Sequence, residues 1–386
     1  MESLVRFGRY HVLGPIARGG MAEVFRVKTV GLAGFEKVQA LKRIAPAQSR
    51  EPRFIRSFID EARIAAELTH KNVVQVFDFG EVEGVLYLTM EFIDGCDLRT
   101  ALDRARAAGK MLPTDLAAHI VAELGTGLDY AHRKVDTAGQ PLGIVHCDVS
   151  PANLMVSTEG HVKILDFGVA RASFAHAVER RRLRGKPRYM APEQTRGEKP
   201  TPATDVFALA VVAWELLTGA PLFDGADVAS TLAAVRTQPV PPIDRVRPEV
   251  PMVLARALER ALVRDPARRI GALELARAAA LAAGGANARS LAAWMDEIAT
   301  LAPAQPMALP VFVEATADTV TREPHWREEP TRADPPFAWI EDEAFSDGIV
   351  TDTSTPQDSE LAEPTIDQAL GDERAIQPPP TTRSPS

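Results

Sequence analysis

Two carboxylates and an amide, spaced within one short stretch, are the side chains best placed for chemistry. They are Asp148, Asn153 and Asp166, in the run from Gly143 to Gly168 that reads GIVHCDVSPANLMVSTEGHVKILDFG. Two apolar, strand-like runs at 154–156 and 162–165 flank a turn at 158–160. A hairpin of this kind brings the three side chains to one edge. There they suit a divalent metal and a base, as phosphoryl transfer requires. An Asp-Phe-Gly alone would signal no more than a turn after a strand.

Other elements must position such a group. Period two in the strand 38–42 puts Val38, Ala40 and Lys42 on one face. In the helix 53–68, Phe54, Phe58, Ala62, Ala65 and Leu68 form an apolar stripe, and Glu61 borders it. A carboxylate there needs a partner or costs stability, and Lys42 is the natural candidate. The alternative is two exposed surface charges. Strands at 10–15 and 24–30 enclose Ile16-Ala17-Arg18-Gly19-Gly20-Met21-Ala22-Glu23. Small residues let the backbone approach phosphates, and successive N–H groups can point at them. Taken alone, that loop reads better as an ordinary hairpin. Strands 73–79 and 85–90 complete a small five-stranded sheet. Helices are expected at 116–133, 205–218, 251–263 and 272–283, with a polar surface loop at 134–143. Gly284-Gly285 ends the regular pattern, and 286–299 reads as one more helix.

As a set these residues resemble the bacterial branch of the eukaryotic-like serine/threonine protein kinases, over about residues 10–275. The resemblance implies an α+β, two-lobed fold: a small sheet with one helix, and a larger, mostly helical lobe. Its expected divisions are an N-terminal arm 1–9 and a kinase domain 10–284, with N-lobe 10–89, hinge 90–95 and C-lobe 96–284. A helix at 285–300 and a disordered acidic tail at 301–386 follow. It implies ATP with Mg²⁺, or Mn²⁺ in its place. Asp148 would accept the substrate hydroxyl proton, and Asn153 and Asp166 would hold the metal. Lys42, paired with Glu61, would orient the α- and β-phosphates. Ile16, Gly19, Gly20, Val24, Ala40, Met90, Glu91, Ile93, Asp97 and Met155 would line the nucleotide site. Glu193, in the Ala-Pro-Glu that closes the activation segment, would pair with Arg269, and Asp205 would hold the catalytic loop's backbone. The implied activity is transfer of the ATP γ-phosphoryl group to protein hydroxyls in signalling, with autophosphorylation. A low-activity nucleotide-binding scaffold is the alternative, and a small-molecule kinase is a third class.

The chain departs from that family at several positions. Ala17 and Ala22 stand at two of the loop's glycine positions, and Cys147 stands where many members have arginine. Ser150 replaces the lysine of serine/threonine-directed members, while Lys186 replaces a threonine. Either the Lys186 ammonium substitutes for the missing lysine, or it faces solvent or substrate. The segment 169–188 offers Ser173 as its one serine or threonine hydroxyl and is strongly basic. That is a solvated face, or a surface for acidic substrates or the acidic tail.

Composition narrows the classes. Net charge is −8 over 386 residues, and residues 301–386 hold 17 acids against 5 bases. The mild positive balance of the remainder does not argue for nucleic-acid binding. No apolar run is long enough to span a membrane, and the start lacks a signal peptide's apolar core. Two cysteines, Cys96 and Cys147, fit a reducing cytoplasm. The tail's aromatics, Trp326, Phe337, Trp339 and Phe345, are a docking motif or simply scattered. Its threonines 351, 353, 355 and 365 are candidate autophosphorylation sites for a phosphothreonine-binding partner.

Overall fold

The computed structural model describes residues 5–19, 22–45, 49, 51–167 and 187–301. The expectations for Gly20, Gly168, Ser173, Lys186, the basic segment as far as Lys186 and the tail from 302 lie outside the described residues, whereas Arg188 is described and pairs with Asp224 at 2.9 Å.

The first lobe is a sheet backed by one helix. Its strands are β1 (Arg6–Phe7), β2 (Tyr10–Arg18), β3 (Ala22–Val30), β4 (Glu36–Ile44), β5 (Val76–Val82) and β6 (Val85–Glu91), in the order β1-β2-β3-β4-β6-β5, all antiparallel. The sheet therefore has six strands rather than the expected five. The arm contributes β1, which pairs Arg6 with His11 and Phe7 with Tyr10. Two residues are too few to show a period, which is why the sequence does not reveal them. Alternation along β4 gives the sheet two cores. Ala40 and Ile44 pack with Phe58, Ala62, Leu88 and Met90 on the side of helix α1 (Pro52–Ala66). Leu41 packs with Tyr10, Phe25, Val27 and Tyr87 on the other. Lys42 lies between Ala40 and Ile44, so register delivers a charge to the helix side of the sheet.

The expected strand 73–79 is displaced along the chain to β5. Val73 instead bridges Ile164, and the Val74 N–H donates to the Ile164 carbonyl at 3.0 Å. Those two valines are consumed in joining the lobes. The second lobe holds a small sheet, β7 (Gly95–Asp97), β8 (Leu154–Ser157) and β9 (Val162–Ile164). So the exit from the expected hinge is itself a short strand.

Helices build the rest: α2 (Leu98–Ala107), α3 (Thr114–His132), α4 (Pro192–Thr195), α5 (Pro202–Thr218), α6 (Val228–Thr237), α7 (Ile243–Val246), α8 (Met252–Ala261), α9 (Ala272–Ala283) and α10 (Ala288–Leu301). Helix α5 is buried from Thr204 to Leu217, as the apolar run from Val206 to Trp214 demands, and Gly219 ends it in the left-handed conformation. It packs against α3, α8 and α9. The loop 134–143 is an ordered turn, with Val135 bridged to Pro141 and Asp136 Oδ1 accepting from the Ala138 and Gln140 N–H groups. Among the described residues no helix is long and apolar enough to cross a membrane.

Candidate active site

Lys42 is the hinge of the electrostatics. Its ammonium lies 2.6 Å from Glu61 Oε1 and 2.9 Å from Asp166 Oδ1. Burial alone would lower the lysine pKa, but Asp166 and Glu61 outweigh it, and the group is held charged above the ordinary lysine range. Burial pushes the Glu61 carboxyl up to about 7, with Lys42 pulling the other way. The triad is an uneven balance: one buried cation serves two carboxylates, of which Asp166 is the more exposed.

A second bonded pair lies across the catalytic loop. Asn153 Nδ2 donates to Asp148 Oδ2 at 2.9 Å and to the Asp148 carbonyl at 2.8 Å. The Leu165 N–H donates to the Asn153 carbonyl at 2.9 Å, one residue before Asp166. Lys42, Glu61, Asp148, Asn153 and Asp166 are thus joined through short bonds and one chain step, although 124 positions separate Lys42 from Asp166.

The loop's backbone is strained and clamped. Cys147 and Asp166 have φ of 64° and 54°, a region that side-chain-bearing residues rarely adopt. Asp205 at the start of α5 accepts the His146 N–H at 2.8 Å and the Cys147 N–H at 2.7 Å, and contacts His132 Nε2 at 2.7 Å. Gln194 Nε2 holds the Cys147 carbonyl at 2.9 Å. His146 accepts the Asp148 N–H at Nδ1, so its Nε2 donates to the Leu165 carbonyl at 2.7 Å. Its ring also packs on Phe167, with centroids 4.7 Å apart. His146 therefore bonds both segments that carry the carboxylates. The sequence reading assigned no role to His132, His146 or Gln194. The first two carry a signal only in hindsight, as imidazoles beside the acidic motif and at the end of a buried helix.

The expected nucleotide residues divide. Val24, Ala40, Met90 and Ile93 share one apolar cluster under the sheet. Gly19 closes the β2–β3 turn through its N–H to the Ala22 carbonyl at 2.8 Å, while Ile16 stays exposed. The Glu91 side chain is held by Lys163 at 2.7 Å, which ties the hinge to β9. Met155 faces both Asp97 and Lys163 in register. Asp97 caps α2, and Thr100 occupies both its oxygens, through N–H and hydroxyl, at 2.9 Å each. Ser150 is buried, and its hydroxyl has no hydrogen-bond partner among the described residues. The Glu193–Arg269 pair forms a two-pronged contact at 2.6 and 2.7 Å, with both side chains nearly inaccessible.

Comparison with known proteins agrees with this geometry. The model of the family described as the protein kinase domain matches residues 10–279. Tyrosine-protein kinase MasK of Myxococcus xanthus is 38% identical over 262 residues, covering 67% of this chain and 40% of that protein. Serine/threonine-protein kinase PrkC of Bacillus subtilis is 32% identical over 263 residues, covering 68% and 38%. The chain spans about two fifths of the length of these relatives. Among solved structures, the kinase domain of Mycobacterium tuberculosis PknI superposes with a TM-score of 0.53 at 30% identity, covering 78% of this chain and 99% of that one. The family model covers more than half of the chain, and the chain belongs to the protein kinase domain family.

Proposed function

We propose that the chain transfers the γ-phosphoryl group of ATP to serine and threonine hydroxyls of proteins, its own among them. The observation that carries this reading is the bonded path from Glu61 through Lys42 to Asp166, beside the Asp148–Asn153 pair.

The donor set fits the implied cofactors. Asn153 spends its amide N–H groups on Asp148, which leaves its oxygen for a cation, and Asp166 adds a carboxylate. Two oxygen donors suit a magnesium ion that takes its other ligands from phosphate and water. Asn153 and Asp166 would hold that metal, and Lys42 the α- and β-phosphates. A metal held by these two residues would supply positive charge against the phosphates. The remaining work belongs to the chain. Glu61 keeps Lys42 fixed and charged. Asn153 aims the Asp148 carboxylate, which orients the incoming hydroxyl and takes its proton. Asp205 and Gln194 hold the strained backbone that presents it. Such preorganised charge acts without reorganisation cost at the moment of reaction.

A tyrosine acceptor is the second reading. It is favoured by the likeness to MasK, a tyrosine-protein kinase by name, and by Ser150 in place of a lysine. Pro151 and the rest of the loop weigh toward serine and threonine. Products on Thr351, Thr353, Thr355 or Thr365 would extend the proposal to a phosphothreonine-binding partner.

The test is incubation with labelled ATP and Mg²⁺ beside Asp148→Asn, with the products mapped. Phosphoserine or phosphothreonine in the unmodified protein and none in the variant supports the proposal. Phosphotyrosine alone would select the second reading. Equal labelling of both proteins would remove Asp148 from its role.

A further inference from the structure

Helix α10 lies beyond the family match, which ends at residue 279. It is nevertheless built into the second lobe. Asn287 and Ser290 cap its start reciprocally, each donating its N–H to the other's side-chain oxygen, at 2.9 and 3.2 Å. Leu291, Trp294, Met295 and Ile298 are buried, and the helix packs on α2. Lys110, just past α2, pairs with Glu297 at 2.7 Å.

Its first residue meets the tip of the β8–β9 hairpin. A Cβ added to Gly160 would stand 1.8 Å from the Ala288 carbonyl oxygen, and Gly160 has φ of +82°. Only glycine lets tip and helix touch. The same tip is tied to the hinge exit: the Thr158 N–H donates to the Asp94 carbonyl at 2.6 Å. Beside it, a Cβ on Gly95 would lie 2.0 Å from the Val156 carbonyl oxygen. Helix α10, the hairpin tip, β7 and the Asp97-capped start of α2 therefore form one continuous layer. The open end of that hairpin carries Asn153 and Asp166. A two-stranded unit pinned at its tip has its open end aimed by that pin.

We infer that Gly160 and Trp294 are positioning residues: through them α10 fixes the hairpin and hinge exit that frame the nucleotide site. The inference rests on the nucleotide-binding role proposed above and deepens it. It assigns part of ATP affinity to a helix outside the family match.

The experiment uses the full chain with Gly160→Ala, Trp294→Ala and the double variant. Leu254→Val, in the buried face of α8, controls for general destabilisation. ATP binding with Mg²⁺ is measured by calorimetry, and kcat and KM for ATP on a generic acceptor protein. Both single variants should raise Kd and KM for ATP at least about fivefold, the low end of ordinary coupling between sites. Their kcat at saturating ATP should fall by a smaller factor than KM rises. The double variant should be no worse than the stronger single, because both undock one helix. A purely structural role gives the Leu254→Val pattern instead: lower kcat in proportion to folded protein, with KM unchanged. That pattern, or single-variant effects that multiply in the double, would overturn the inference. If the unmodified chain bound no ATP, the kinase proposal would fall and this inference with it. Unchanged affinity in folded variants would sink this inference alone.

Discussion

Arg269 shows what one side chain carries here. It is buried against Glu193 and also donates to the carbonyls of Val263, Ala203 and Arg264. Removing one member of such a pair strands a charge and several carbonyls. Arg269→Met should therefore cost about 3–5 kcal/mol in urea unfolding. The double change Glu193→Leu with Arg269→Met should recover part of that, since no charge is then left unpaired. A double variant worse than the single would mean that the carbonyls, not the charge, dominate. This pair was legible as a resemblance, and Lys42–Glu61 was legible from physics, because a glutamate beside an apolar stripe demands a partner. The clamp on Cys147 was only partly legible. Gln194 lies 47 positions from it and His132 lies 73 from Asp205, and neither carries a local pattern that names its partner. The same holds for Ser150: its identity is plain in the sequence, but not that its hydroxyl is buried.

At the level of elements, periodicity located the long helices to within a few residues, because an apolar face repeated over several turns leaves little freedom. It missed whatever was short or used twice. Strand β1 has two residues, and Val73 and Val74 read as strand but serve the seam between lobes. A charged node ties β2 to β5 and β6, at the edge of the sheet opposite β1. Asp78 Oδ2 accepts from Tyr10 and Tyr87 hydroxyls at 2.7 and 3.0 Å and from Arg9 at 2.7 Å. Burial alone would raise the Asp78 pKa, but these donors outweigh it and hold it below its usual 3.8. A depressed carboxylate contributes its full stabilisation above the unfolded value and loses it as pH falls through the folded one. Asp78→Asn should thus be less stable than the unmodified protein by about 2 kcal/mol at pH 7, the scale of hydrogen bonds to a charged group. The gap should close below pH 3.8. Urea titrations at several pH values would read it, and a gap constant with pH would mean that the charge contributes nothing.

Among the described residues a seam joins the two lobes. The described contacts between the sheet lobe and the helical lobe include the Lys42–Asp166 and Glu91–Lys163 pairs and the exchange of backbone bonds among Asn72, Val74 and Ile164. The partners in this seam stand 72 to 124 positions apart, so no window of sequence could have displayed it. These polar contacts lie beside apolar ones: Leu165, next to Asp166, packs against the cluster under the sheet that includes Val74. A ligand held by both lobes must then add its binding free energy to the seam itself. At a concentration 100 times its Kd, a nucleotide should stabilise the chain by about 2.7 kcal/mol and raise Tm by several degrees. The rise should continue with the logarithm of concentration. Lys42→Met removes a cation that touches Glu61 and Asp166 together, so it should abolish most of the shift while leaving both cores intact. Calorimetric scans of the two proteins across a nucleotide series test this. An equal shift in Lys42→Met would place the ligand away from the seam, and the lobes would then owe their joining to protein contacts alone.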